Sequence, residues 1–194
     1  MSKKIKDKMA SYLMTEGAIR AENVEIYLYG IDLLVRKVCH IMFILLLGLV
    51  LDQLCGTVLF LIIYAQIREY SGGYHANSSI GCFWCTIVVT ICAIALLKVL
   101  PQIASFWNCG SLLFCGGIIW MLSPQEAENK PLLETEKVKY RQVTHKYLLI
   151  SSGLCVLGLI NPLFIYSVIT AWIIQATMLV LGILKSTCAC GKRI

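Results

Sequence analysis

Residues 147–184 carry no charged side chain, and the run is interrupted only by Asn161-Pro162. About twenty apolar residues suffice to cross a bilayer as a helix, and Asn-Pro is a turn dipeptide. The run therefore predicts two helices of about nineteen residues joined by a tight hairpin. The rest of the chain repeats the pattern, with uncharged blocks at 38–51, 53–67, 80–97 and 99–125, the last opening with Pro101. Only 14% of residues are charged and the mean hydropathy is +0.77, against about 25% charged in a soluble domain. The blocks are continuous, whereas a transmembrane barrel alternates within segments of about ten residues.

The expected fold is an all-α polytopic membrane protein of about six transmembrane helices preceded by an N-terminal amphipathic helix. A single membrane domain covers 1–194. Within it, 1–37 is a cytoplasmic or interfacial region, 38–125 holds spans one to four with a loop at 68–82, and 126–146 is a cytoplasmic loop. Residues 147–184 form the hairpin of spans five and six, and 185–194 are a tail. The first two blocks are marginal in length for a span, and Leu33-Leu34-Val35 can extend the first downward. Ile5, Met9, Tyr12 and Leu13 recur at helical spacing opposite Lys4, Lys6 and Lys8, which suits a helix lying on lipid. The same pattern suits a surface helix packed on its own protein. No apolar core or small-residue cleavage site follows this basic start promptly, so a signal peptide is not expected.

Charge fixes the expected sidedness. With six spans and the N-terminus inside, sixteen of the seventeen Lys and Arg fall on the cytoplasmic side, Lys98 being the exception. Positive residues stay inside, which puts both termini and the 68–82 loop in the cytoplasm. The net charge of +6 is then a matter of topology, and no nucleic-acid motif or nucleotide fingerprint accompanies it.

The chemistry concentrates where the 68–82 loop meets the third span: Gly72-Gly73-Tyr74-His75-Ala76-Asn77-Ser78-Ser79-Ile80-Gly81-Cys82. His75 is a candidate base and Cys82 a candidate nucleophile. Asn77, Ser78 and Ser79 are helix-capping types, so Cys82 falls in or just beyond the first helical turn. There the helix dipole and unpaired N–H groups favour a thiolate and can hold a carbonyl oxyanion. On an unbroken helix the two Cα atoms would stand about 10.5 Å apart, so a working pair needs the double glycine to fold His75 back over the helix start. Unaided, such a pair is more often loop decoration beside a packing cysteine, and the double glycine, capping residues and membrane edge are what favour chemistry.

Arg68-Glu69-Tyr70-Ser71-Gly72-Gly73-Tyr74-His75-Ala76, followed by Cys82, resembles the accessory gene regulator B (AgrB) family, membrane cysteine endopeptidases of Gram-positive bacteria that mature cyclic peptide pheromones. Arg68, Gly73, His75, Ala76 and Cys82 match the family pattern in turn. Ser123-Pro124 through Glu128-Asn129-Lys130-Pro131-Leu132 is similar to the family's loop after the fourth span. The resemblance implies a bacterial cell-membrane protein whose active site faces the cytoplasm. His75 and Cys82 would cleave a short AgrD-like propeptide through an acyl-thioester. The propeptide's own cysteine or serine would then close a thiolactone or lactone for quorum sensing.

Supporting roles fall to Arg68 (a substrate carboxylate or the loop itself), Gly73 for backbone geometry, and Asn77, with Glu69 and Ser71 further candidates to orient His75. Lys130 and Arg141 can attract an acidic propeptide tail. Glu126, Glu128, Glu134 and Glu136 share their loop, however, so a solvated mixed-charge helix is the favoured reading of it.

Cys82-x-x-Cys85 admits a membrane thiol-disulfide oxidoreductase, but it lies at the reducing cytoplasmic edge with no second close pair outside. A small transporter predicts charges deep inside spans, and here they cluster at the ends; a scaffold leaves the Gly-Gly-x-His-Ala loop unexplained. Most of the ten cysteines read as packing residues. Cys188 and Cys190 have no clustered histidine, so neither metal nor cofactor is expected. Glycines at 48, 56, 110, 116, 117, 153, 158 and 182 allow close helix packing within the chain or between copies, which admits a homodimer in the lipid bilayer.

Overall fold

The computed structural model describes residues 23–74, 76, 78–126 and 133–191, together with Lys8, Ser11, Tyr12 and Thr15. Those four are helical, and Ser11 Oγ donates to the Lys8 carbonyl at 2.9 Å. The remainder of the expected amphipathic helix lies outside the described residues.

Among the described residues there are six long helices and no strand: α1 (Val24–Val50), α2 (Leu54–Ser71), α3 (Ser79–Val99), α4 (Ser105–Leu122), α5 (Glu134–Leu157) and α6 (Leu163–Gly191). Each overlaps one of the uncharged blocks, the last two sharing the 147–184 run. Among the described residues, four stretches are long and apolar enough to cross a membrane: Val24–Val50, Ile80–Gln102, Ser105–Leu122 and Leu163–Thr187. Two compact units divide the chain, residues 1–43 and 44–194.

Three boundaries differ from the sequence reading. The block at 38–51 is only the C-terminal half of α1, because Arg36 pairs with Asp32 one turn away at 2.7 Å and the helix continues through both charges. The fourth block does not start a helix at Pro101. Leu100–Gln102 is a short 3₁₀ turn, and α4 begins at Ser105. The charged island is half helix: α5 starts at Glu134, where Glu136 Oε2 accepts the Leu133 N–H at 3.1 Å. Lys137 bridges Glu126 at 2.5 Å and Glu134 at 2.7 Å, and these hydrogen bonds push its ammonium well above the ordinary lysine value. The Asn161-Pro162 turn is as expected, with Asn161 Oδ1 accepting the Leu163 N–H at 3.0 Å.

In the second unit α6 is the hub, packing against α2, α3, α4 and α5. Some 67% of its apolar stretch is buried in the protein, against 28% for the next span. Lipid is as apolar as leucine, so helices in a bilayer associate through close packing and hydrogen bonds. Both are present. A Cβ on Gly116 of α4 would stand 2.5 Å from the Trp172 ring, and Trp172 Nε1 donates to Ser151 Oγ of α5 at 3.1 Å.

Candidate active site

The loop between α2 and α3 is set by its two glycines. Gly72 has φ 73° and Gly73 φ 123°, the second in a region open to little but glycine. Space excludes side chains as firmly: a Cβ would lie 2.2 Å from the Gln125 carbonyl oxygen at Gly72 and 2.2 Å from Arg68 Nη1 at Gly73. The chain thereby turns sharply at the end of α2 and is held there from three sides.

Arg68 reaches forward from α2, donating from Nη1 to the Gly72 carbonyl at 2.6 Å and from Nη2 to the Tyr74 carbonyl. Of the two roles the sequence left open, these bonds serve the loop. From α6, Gln175 Nε2 donates to Ser71 Oγ at 2.6 Å and to the Gly72 carbonyl at 2.9 Å. The Tyr74 N–H donates to the Met178 carbonyl at 2.8 Å, and the Lys185 ammonium lies 5.1 Å from the centre of the Tyr74 ring. Beyond α4, the Gln125 N–H donates to the Ser71 carbonyl at 2.9 Å, after a cis Ser123-Pro124 bond.

α3 opens on Ser78, whose Oγ accepts the Gly81 N–H at 3.0 Å. The Cys82 N–H donates to the Ser78 carbonyl at 3.0 Å and closes the first turn. Cys82 is thus one turn into α3, exposed, and a free thiol; Cys85, one turn further, is half-buried and also free.

Both thiols line a cleft of about 210 Å³. Arg68, Tyr74, Ala76 and Cys82 surround its mouth, while Phe60, Tyr64, Val89 and Thr90 line its inner part. His75 and Asn77 lie outside the described residues, as does Lys130; the residues on either side of His75, Tyr74 and Ala76, both face the cleft. Gly73 and Ser71 are buried in the turn, Glu69 is exposed on α2, and Arg141 is exposed on α5 and does not line the cleft. Among the described residues no three His, Cys, Asp or Glu converge as metal ligands would.

Gln175, Gln125 and Met178 are parts of this arrangement that the sequence reading passed over. Gln175 carried a signal, as the one carboxamide between 163 and 184. A polar group at that depth is costly unless it is bonded.

The family model described as Accessory gene regulator B matches residues 6–184. The chain belongs to the AgrB family. The match takes in the double-glycine turn, Cys82, the cleft and Gln175. AgrB-like protein 2 of Clostridium perfringens (strain 13 / Type A) is 32% identical over 152 residues, and an AgrB-like protein of strain SM101 is 30% identical over 152. Each alignment covers 73% of this chain and 66% of the relative, so the matched part spans just under two thirds of either AgrB-like protein. No solved structure matches the chain.

Proposed function

We propose that this AgrB-family chain is a membrane cysteine endopeptidase that processes an AgrD-like propeptide for quorum sensing. The observation that carries the reading is the exposed Cys82 thiol, one turn into α3, at the mouth of the cleft that Tyr74 and Ala76 also face. His75 takes the Cys82 proton and the thiolate adds to a peptide carbonyl. As the S–C bond forms and the C–N bond breaks, His75 returns the proton to the departing amine of the C-terminal part. The acyl-thioester then meets the propeptide's own thiol or hydroxyl, whose attack releases a thiolactone or lactone and restores the Cys82 thiol. Thioester exchange is nearly thermoneutral, so excluding water from the intermediate protects the ring from hydrolysis.

In the same reading all six helices cross the membrane, both termini are cytoplasmic, and the loop faces the cytoplasm, since sixteen of seventeen Lys and Arg then lie inside. Arg68, Gly73 and Asn77 position the loop, and Lys130 and Arg141 attract an acidic propeptide tail. Homodimerisation is carried only by the glycines open to close packing.

The test is co-expression with the cognate propeptide, read by mass spectrometry. Processing is expected to disappear in Cys82→Ala and His75→Ala and to persist in Cys85→Ala, with a product one water lighter than the linear fragment. Processing that survives Cys82→Ala sinks the assignment. Because Cys85 lines the same cleft, loss in Cys85→Ala with normal expression favours paired-thiol chemistry instead.

A further inference from the structure

The cleft runs inward from Cys82 rather than lying flat beneath it. Cys82 and Thr90 are eight residues apart on α3, as are Arg68 and Phe60 on α2, so on both walls the lining extends about 12 Å along a helix. Burial rises along the way: Cys82 is exposed, whereas Phe60 and Thr90 are 2% and 1% exposed.

The inner part carries no charged side chain, and its polar groups are the hydroxyls of Tyr64, Thr86 and Thr90. Thr86 Oγ1 donates to the Cys82 carbonyl at 3.0 Å and Thr90 Oγ1 to the Thr86 carbonyl at 2.8 Å, so both hydroxyls are turned onto their own helix. The guanidinium of Arg68 at the mouth is engaged by Gly72 and Tyr74. The Phe60 and Tyr64 rings stack, with centroids 5.3 Å apart, and make a firm apolar wall. A dry apolar cavity of about 150 Å³ accepts benzene, so about 210 Å³ has room for one aromatic or branched aliphatic side chain and not for a second.

We propose that this cleft is the pocket for the side chain of the substrate residue whose carbonyl Cys82 attacks, and that it selects a large apolar residue there. The proposal rests on Cys82 being the nucleophile, and it names what lies on the acyl side of the cleaved bond. Val89, at the inner end, sets the size that fits.

The test uses N-acetyl amino-acid chloromethyl ketones on the full chain in liposomes. The Cys82 thiolate displaces chloride, forming an S–C bond as the C–Cl bond breaks, so no propeptide is needed. Labelling at Cys82 is followed by peptide mass spectrometry, and iodoacetamide, which has no side chain to place, reports the thiol's own reactivity. The phenylalanine and leucine reagents are expected to label Cys82 about tenfold to a hundredfold faster than the alanine reagent, with the aspartate reagent slowest. Val89→Phe should bring the phenylalanine-to-alanine ratio close to one with iodoacetamide labelling unchanged. Val89→Ala should extend acceptance to a naphthylalanine reagent, which keeps the proposal open to refutation if the larger substitution misfolds. Brisk labelling with no side-chain preference, as a cleft filled by lipid chains would give, overturns the pocket and leaves the nucleophile standing. Cys82 labelling no faster than the exposed Cys55 or Cys109, which lie near helix ends, with every reagent overturns both.

Discussion

Gly73→Ala is the most informative single change, because conformation and space both oppose it. At φ 123° an alanine is held in a region costing about 1–3 kcal/mol. Its Cβ would sit 2.2 Å from Arg68 Nη1, so the guanidinium must leave the Gly72 and Tyr74 carbonyls, and hydrogen bonds from a charged donor are worth about 1.5–3 kcal/mol each. The Met178 carbonyl oxygen, at 3.1 Å, needs to give only a few tenths of an ångström and adds little. Relief by loop movement offsets part of this, leaving about 3–5 kcal/mol against the closed loop. At about 1.4 kcal/mol per factor of ten, that is about a hundredfold to several thousandfold more opening. The assay is hydrogen exchange read by mass spectrometry in detergent, followed at the Tyr74 amide on Met178 and the Gln125 amide on Ser71. Both should lose protection while the α4 and α5 amides keep theirs. Gly153→Ala is the control: nothing stands within 4 Å of its Cβ, so it should be neutral or stabilising by up to about 1 kcal/mol. Unchanged exchange at Tyr74 and Gln125 in Gly73→Ala would refute the reasoning.

Gln175→Met removes two hydrogen bonds but also a buried Oε1 that has no hydrogen-bond partner, so thermal unfolding should register a loss of only about 1–2 kcal/mol, with processing impaired more than stability. Arg68→Lys keeps the charge but not the fork that spans two carbonyls; processing should fall about tenfold or more, with expression intact. Trp172→Phe should cost about 1–2 kcal/mol through the lost bond to Ser151, measured by the same thermal unfolding.

Legibility in the sequence followed the kind of information each feature carries. The α5–α6 turn and the start of α3 were readable because Asn161 and Ser78 act on backbone within three residues of themselves. The full length of α1 was not, since hydropathy carries the block no further down than Leu33 while the Asp32–Arg36 pair lets the helix pass through both charges to Val24. The early start of α5 was legible in part: hydropathy ends its block at Tyr147, but the mixed charges before it read as a solvated helix, whose first turns Glu136 and Lys137 hold. At the site, the double glycine announced a turn, but its direction depends on Gln175 and Met178, a hundred residues away in sequence. Contacts at that separation leave no local pattern. The cleft is likewise a product of α2 and α3 facing each other, which neither helix's sequence states alone.

The central claim, that Cys82 carries the acyl group, is tested most directly by trapping it. The protein in liposomes would be mixed with its cognate propeptide, quenched in acid, digested and searched by mass spectrometry for a hydroxylamine-labile peptide adduct. The account predicts the propeptide's N-terminal part joined to Cys82, and no adduct at Cys85. A labile adduct on any other residue, or full processing with Cys82 absent, would contradict it.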